Sequence, residues 1–491
     1  MYDVIIIGSG LGGLSSAAFL SKAGKKVLVL EKMRQIGGYA YSFSRKKEEY
    51  EISLHSIGDL DNDGSLYKVL SEIELFEKVI FKKQVSNYSI VNENGIISSI
   101  NGIDDFTKKL KLNYSENERE IHTIINLFKT IRKEMNYLNS FSEKEPLTNL
   151  KDNIPTILKY KDSSLHHLLS TITDNQALIE EFSRYWVYFS LPPQELGGVI
   201  YAYVWTEYMI HGSYYPEGGS KAISEAFKTI IIDNNGEVIT GSEVKKIMIK
   251  DSEVVGVECR KKQYFSDIVI SNISPTATIR LANEENFPKR YLKKIDNIIP
   301  SCSSFVVYIT LNRDFYELYS YAKGGHEFFL NNSKANSFWE NLKSENISDL
   351  PINCSIYKDS KGKYTIVSLC TVSQFANWNR VDRKTYRTKK ERWEKGLIQK
   401  MDTIFSGFSE YIVEKVSGSP LTNMRFTSNP RGAIYGSAQV VNQTLNRRLD
   451  NQTPVKGLYF SGAWTKPSSG YSGVIWSGYN VHKLVLNQNK I

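Results

Sequence analysis

The sequence predicts an α/β fold in which a parallel-sheet domain of the dinucleotide-binding type is interleaved with an α+β domain carrying a helical lid. Three observations predict it. The chain opens with an apolar strand, a glycine-rich turn, a helix and a second strand that ends in an acid. It closes with another apolar strand, another glycine-rich turn and another helix. Its 491 residues exceed what one ordinary core accommodates, so two domains are expected.

Composition narrows the classes. An apolar content of 41% with 12% aromatic residues is that of a globular chain, and no low-complexity tract or internal repeat interrupts it. The four cysteines stand far apart with no CxxC pair, which suits a reducing compartment and neither a disulfide framework nor a zinc site. No HExxH and no histidine pair at i, i+4 occurs, so no metal site is expected. With a strand beginning at Tyr2, no leader peptide is expected, and no run of 18 apolar residues spans a membrane. The net charge of +9 has two readings, a mildly basic soluble surface or peripheral contact with anionic lipid. Nucleic acid is not an expected partner, because no recognition motif accompanies the charge. A cytoplasmic location, with or without membrane contact, is the resulting expectation.

The first element is "YDVIIIGSGLGGLSSAAFLSKAGKKVLVLEK". Val4 to Ile7 form the continuous apolar run of a strand buried on both faces. Gly8, Gly10 and Gly13 make G-x-G-x-x-G, for a tight turn, a close backbone approach to a pyrophosphate, and close packing of helix on sheet. The loop Gly8, Ser9, Gly10, Leu11, Gly12 and Gly13 then presents a helix N-terminus, with free N–H groups and the positive end of the dipole, to the phosphates. Glu31 closes the second strand 21 residues after Gly10, where a carboxylate accepts hydrogen bonds from a ribose and disfavours a 2′-phosphate. That acid, followed by Lys32, does not separate NAD from FAD.

The doublet Gly37–Gly38 and Tyr39 come next, in "EKMRQIGGYAYSF". This arrangement, a βαβ unit, an acid and then Gly-Gly, resembles the two-dinucleotide-domain flavoproteins, and the resemblance implies FAD as the cofactor. "YEISLHSIGDL" is similar to a segment of type F-D-x-G-x-H that runs beside the isoalloxazine in the phytoene desaturase, carotenoid isomerase and retinol saturase group. Glu51 stands where Asp is usual and Ser53 where Gly is usual, while His55 remains. Three roles are open to His55: orienting the flavin, moving a proton, or serving as a satisfied polar residue.

"NYSIVNENGIISSI" reads as a hairpin about an Asn-Glu-Asn-Gly turn. From Asp104 to about Tyr208 the pattern is helical and carries no phosphate, metal or nucleophile motif, as an inserted lid would be. "HGSYYPEGGSKAISEAF" makes a turn at Pro216–Gly219, with Ser220 placed to cap the helix that follows. "GEVITGSEVKKIMIKDSEVVGVEC" is a set of short strands with a hairpin at Asp251–Ser252. "FSDIVISNISPTAT" is a buried strand. This order of motifs matches the same group, in which the backbone at the position of Val244 lies over the adenine. Residues 286 to 419 alternate β-rich runs with one long basic helix. The resemblance covers the whole chain and implies a discontinuous FAD domain (1–80, 209–285, 420–491) and a substrate domain (81–208, 286–419).

The last element is "VKGLYFSGAWTKPSSGYSGVIWSGYNVHKLV". A strand at Leu458–Phe460 runs into Ser461–Gly462, and Ser472 is placed to cap a helix through Val474, Ile475, Val481 and Leu484. FAD is about twice the length that one glycine turn can hold. The resemblance places Gly462 and Ala463 near the ribityl and pyrophosphate. It places Tyr471, Ser472, Gly473 and Val474 under the ring, where a helix N-terminus would stabilise reduced flavin. "GYSG" fails the G-x-S-x-G spacing of a hydrolase elbow. The implied reaction is desaturation, saturation or cis–trans isomerisation of a lipophilic carotenoid, prenyl or polyene substrate. Two alternatives stand beside it: a flavin amine oxidase acting on a small amine, and a non-catalytic prenyl-lipid escort of the same fold. Glu31 with Ser472–Val474 speaks against the escort.

Overall fold

A parallel sheet organises the molecule because the strands Val4–Ile7, Val27–Leu30 and Leu458–Phe460 are apolar along their whole length and must be covered on both faces. The computed structural model describes all residues except 47, 54, 92–96, 141–146, 261, 331–334, 359–361, 363 and 489–491. The strands lie in the order Glu237–Ile239, Val27–Leu30, Val4–Ile7, Val269–Ser271, Leu458–Phe460, all parallel. Alternate side chains go to opposite faces. Val4, Ile6, Val27 and Val29 pack with Leu14, Ala17 and Ala18 of the helix Leu11–Lys22, and with Ile475 and Val481 of the helix Gly470–Gln488. Ile5, Ile7, Leu28 and Leu30 pack instead on Val244, Ile247 and Val257 of a three-stranded antiparallel sheet, Val244–Lys250, Glu253–Cys259 and Lys262–Phe265. Asp251 and Ser252 both take positive φ, 51° and 64°, as their two-residue hairpin turn requires.

The first and last helices cross at glycine. A Cβ on Gly478 would lie 2.6 Å from both the Gly12 carbonyl oxygen and Ser15 Cβ, so only glycine admits this approach. The Ser15 hydroxyl donates to the Ile475 carbonyl at 2.9 Å, and the Ser461 hydroxyl to the Gly12 carbonyl at 2.8 Å.

A second sheet of seven strands has the order Ile412–Gly418, Ser303–Leu311, Thr365–Ser373, Ile352–Lys358, Glu327–Leu330, Tyr88–Val91, Ile97–Ile100. The pair Glu327–Leu330 with Tyr88–Val91 is parallel and the remaining neighbours are antiparallel. The last two strands are the hairpin expected from sequence, and its Asn-Glu-Asn-Gly turn lies outside the described residues. Phe305, Val307, Ile309 and Leu311 share one core with the helical insertion, whose helices run from Gly102–Asn113 to Gly198–His211. Within it, Phe106, Phe128, Phe182 and Trp205 pack ring edge to ring face. The opposite face of the same strand, Val306 and Tyr308, meets Tyr50. Tyr308 donates to the Ile52 carbonyl at 2.8 Å, which joins this sheet to the segment leading to His55.

Two helix starts differ from expectation. Ser220 is the first residue of its helix, and the Glu51 carboxylate caps it from another part of the chain, accepting from the Ser220 N–H at 2.7 Å and hydroxyl at 2.5 Å. Glu51, one methylene longer than the usual Asp, supplies this cap. The last helix begins at Gly470, so Ser472 lies inside its first turn and does not cap it. Among the described residues, no helix is long and apolar enough to cross a membrane.

The crossing of first and last helices yields a direct expectation. Gly478→Val should cost about 1–3 kcal/mol, as overpacking does, and lower the thermal midpoint. An unchanged midpoint would mean the two helices separate without cost.

Candidate active site

Residues from both ends of the chain meet at the carboxyl ends of the parallel strands, the place where open α/β sheets bind ligands in a crevice. A Cβ on Gly12 would lie 2.7 Å from the Gly462 Cα, and one on Gly10 would lie 2.5 Å from the Asn272 side-chain oxygen. Gly37 (φ 104°) donates its N–H to the Ser9 carbonyl at 2.9 Å, which brings the Gly37–Gly38 turn onto the first glycine loop. Leu11, Gly12 and Gly13 start the first helix with no side-chain cap and no acidic residue in the first turn. The N-terminus of that helix therefore remains suited to an anionic group.

Glu31 is 7% exposed. One carboxylate oxygen accepts from the Ser9 N–H (2.9 Å) and hydroxyl (2.7 Å), and the other from the Met33 N–H (2.8 Å). The second oxygen keeps a lone pair for a ligand hydroxyl. Val244 stands close by, because the Ser242 N–H donates to the Glu31 carbonyl at 2.8 Å. Lys32 is half-buried against Ser428, and burial lowers its pKa.

At the other end of the crevice, the Gly462 N–H donates to the Ser477 hydroxyl at 2.9 Å. The Asn272 amide donates to the Ser461 carbonyl at 2.9 Å, and the Asn451 amide to the Phe460 carbonyl at 3.0 Å. Ala463 offers its carbonyl to Arg448. Arg448 is 1% exposed and also donates to the Thr465 carbonyl at 2.5 Å and the Gln439 side chain at 3.2 Å. All three acceptors are neutral, and burial draws the guanidinium pKa down to about 9. Ser53 gathers the next pair: its hydroxyl donates to the Tyr39 carbonyl at 2.9 Å and lies 3.1 Å from the Tyr471 hydroxyl. Gly473 packs on Ser468, whose hydroxyl a Cβ would meet at 2.4 Å, and Val474 is half-buried in the same first turn as Ser472.

His55 lies on the wall of a cavity of about 40 Å³ that is also lined by Tyr188, Ser304, Asn353, Cys370 and Tyr435. The cavity abuts the C-terminal glycine turn, because a Cβ on Gly436, next to Tyr435, would lie 2.4 Å from the Ala463 carbonyl oxygen. Burial, and secondarily the neighbouring His326, lowers the His55 pKa to about 4. Burial raises the Cys370 thiol to about 12, so it is not a thiolate nucleophile. Behind His55 stands Glu327, whose side chain is 2% exposed and whose carboxylate oxygen is 3.5 Å from His55 Nδ1. Burial raises that carboxyl to about 7, against hydrogen bonding from Tyr188 and Asn353.

The sequence reading missed Glu327, Asn272 and Arg448. Asn272 directly follows a strand at its carboxyl end, a position that could have flagged it. Arg448, beside Arg447 in "LNRRLD", reads as surface charge, and Glu327 is one acid in a strand far from His55 in sequence.

Comparison with known proteins gives a consistent picture. The family model described as flavin containing amine oxidoreductase matches residues 11–486. The chain is 24% identical to all-trans-retinol 13,14-reductase of Danio rerio, over 99% of this chain and 86% of that protein. It is 25% identical to prolycopene isomerase 1, chloroplastic, of an Oncidium hybrid cultivar, over 97% and 82% respectively. Among solved structures, cyclohexylamine oxidase of Brevibacterium oxydans superposes with a TM-score of 0.65 at 14% identity, covering 100% of both chains.

The Arg448 arrangement can be tested by itself. Arg448→Met would leave the Ala463 and Thr465 carbonyls without their donor, at about 1–3 kcal/mol for each buried unpaired group. A lowered denaturant midpoint is expected, and an unchanged one would show that the turn holds itself.

Proposed function

We propose a reaction for this chain, which belongs to the flavin containing amine oxidoreductase family and is an FAD-dependent oxidoreductase: it alters C–C or C=C bonds of a lipophilic polyene by desaturation, saturation or isomerisation. One observation carries the choice of substrate class. The cavity beside His55 is walled by Val187, Tyr188, Pro351, Val372, Ile434 and Tyr435 together with the neutral Ser190, Ser304, Asn353, Cys370 and Thr371, and among the described residues no Lys, Arg, Asp or Glu lines it. Such a wall receives hydrocarbon and gives an ammonium ion no counter-charge. The names of the retinol reductase and the prolycopene isomerase support the same reading.

The crevice fits FAD. Backbone glycines approach where side chains would collide, a free helix N-terminus suits the pyrophosphate, and Glu31 keeps a lone pair for a ribose hydroxyl. In this reading Gly8, Ser9, Gly10, Leu11, Gly12 and Gly13 hold the pyrophosphate, Glu31 and Lys32 the ribose side, and the Val244 backbone the adenine. Gly37, Gly38, Tyr39, Gly462, Ala463, Tyr471, Ser472, Gly473 and Val474 hold the flavin half. FAD, when bound, supplies hydride exchange with carbon. The chain's own part is to seat the polyene in the cavity, exclude water with neutral walls, and set His55 beside the reacting carbons. Segments 1–80, 209–285 and 420–491 act as the FAD domain and the remainder as the substrate domain. Peripheral contact with anionic lipid belongs to the same proposal, favoured by the +9 charge.

The purified protein should be yellow, and its flavin should be bleached anaerobically by at least one member of a carotenoid, retinoid and fatty-acid panel, with products identified by mass. Bleaching by amines only would return the chain to amine oxidation, and a colourless protein that binds prenyl lipid would make it an escort. Glu31→Arg should release FAD more readily than wild type. Unchanged flavin content would remove Glu31 from the ribose site.

A further inference from the structure

Two neighbouring strands place a buried acid directly behind His55. Glu327 and Ser355 are paired residues on the strands Glu327–Leu330 and Ile352–Lys358, so their side chains rise from the same face. The Ser355 hydroxyl is hydrogen-bonded to His55 Nδ1, and Glu327 Oε1 lies 3.5 Å from the same nitrogen. The Asn353 amide donates to Glu327 Oε1 at 2.5 Å. Glu327 Oε2 and Asn353 Oδ1 are both buried acceptors without a donor. Among the described residues, no Lys or Arg comes within ion-pair distance of this carboxyl. A lone buried anion would cost several kcal/mol. A proton on Oε2 removes that charge and turns an unpaired acceptor into a donor. Glu327 does not line the cavity, whereas His55 does; with Nδ1 engaged by Ser355, His55 Nε2 is the nitrogen left for the cavity.

We propose that Glu327 is the proton reservoir behind His55, with Ser355 holding the imidazole, so that His55 exchanges with the bound polyene the proton that accompanies each hydride. This rests on the polyene reading above. For saturation, the C=C bond gains a hydride at one carbon and a proton at the other. The His55 Nε2–H bond breaks as the new C–H bond forms. The Glu327 carboxyl proton passes to His55 Nδ1, 3.5 Å away, while the Ser355 hydroxyl holds the ring in place. His55 and Ser355 end neutral, Glu327 ends as carboxylate, and solvent restores its proton. Desaturation runs the same transfers in reverse. Glu327 is therefore a positioning residue and His55 the group that meets substrate.

Burial sets the working pH. The groups facing this pair are His326, Tyr185, Tyr188, Tyr208, Cys354, Cys370 and Tyr435. Burial raises the tyrosines and cysteines and lowers His326, so each is neutral near neutral pH. The Glu327 carboxyl, raised to about 7, is the remaining group that titrates there. Saturation should then fall as pH rises through about 7 and this carboxyl loses its proton.

The test uses the holoenzyme and the variants Glu327→Gln, Glu327→Asp and His55→Gln. Infrared difference spectra should show a protonated-carboxyl band lost from wild type as pH rises through about 7 and missing in Glu327→Gln. In the polyene assay, His55→Gln should lower the rate about 10²-fold or more. Glu327→Gln should flatten the pH profile while flavin content stays unchanged, and Glu327→Asp should restore a displaced limb. A wild type without the band, a band that survives in Glu327→Gln, or a pH limb that Glu327→Gln leaves in place would overturn this role for Glu327. Failure of every polyene to react would overturn the functional reading instead, and the infrared band would then decide the protonation of Glu327 independently.

Discussion

Backbone meets backbone where Gly12 faces Gly462, and most of the site follows from that contact. A side chain on Gly12 would meet the Gly462 Cα at 2.7 Å, and one on Gly462 would meet the Asn272 side-chain nitrogen at 2.4 Å. The Ser461 hydroxyl, the Asn272 amide and the Gly478–Ser15 approach all lie within reach of the same junction. Together they hold the two ends of the chain at the carboxyl ends of two parallel strands separated only by Val269–Ser271. A cofactor too long for one glycine turn can then be held by two, with each half of the chain's terminal sequence serving one part of it.

The second consequence is a change of environment along the crevice. Near Val244 and Glu31 the groups are polar and backbone-rich, suited to a nucleotide. Near His55 the parallel sheet gives way to the seven-stranded one, joined through Tyr308 and Ile52, and the walls become aromatic and aliphatic. The groups there are buried, so ionisable ones move towards their neutral forms. The same burial that suits a hydrocarbon substrate keeps Cys370 and the surrounding tyrosines protonated and brings Glu327 towards neutral pH.

Legibility in the sequence followed locality. The opening βαβ unit was readable because apolar runs, glycine spacing and a terminal acid all lie within about thirty residues, as the dinucleotide-binding pattern requires. The closing strand and helix were readable for the same reason, and so was the hairpin turn at Asp251–Ser252. Helix starts were less so. Ser220 reads as a cap, yet its N–H is taken by Glu51 from a distant strand, an interaction that no local pattern encodes. The pairing of His55 with Glu327 and Ser355 depends on the register of two strands in another sheet, and Arg448 is buried by loops that fold over it. Residues whose chemistry is set by tertiary burial leave little trace in composition or spacing.

The central claim is that two glycine turns from opposite ends of the chain close on one FAD. Hydrogen exchange of the FAD-free protein, before and after adding FAD, tests it most directly. The account predicts that slowed exchange appears together, at one FAD per chain, in residues 8–14, 37–39 and 461–475. Protection confined to the N-terminal glycine loop, with the C-terminal turn unaffected, would contradict it.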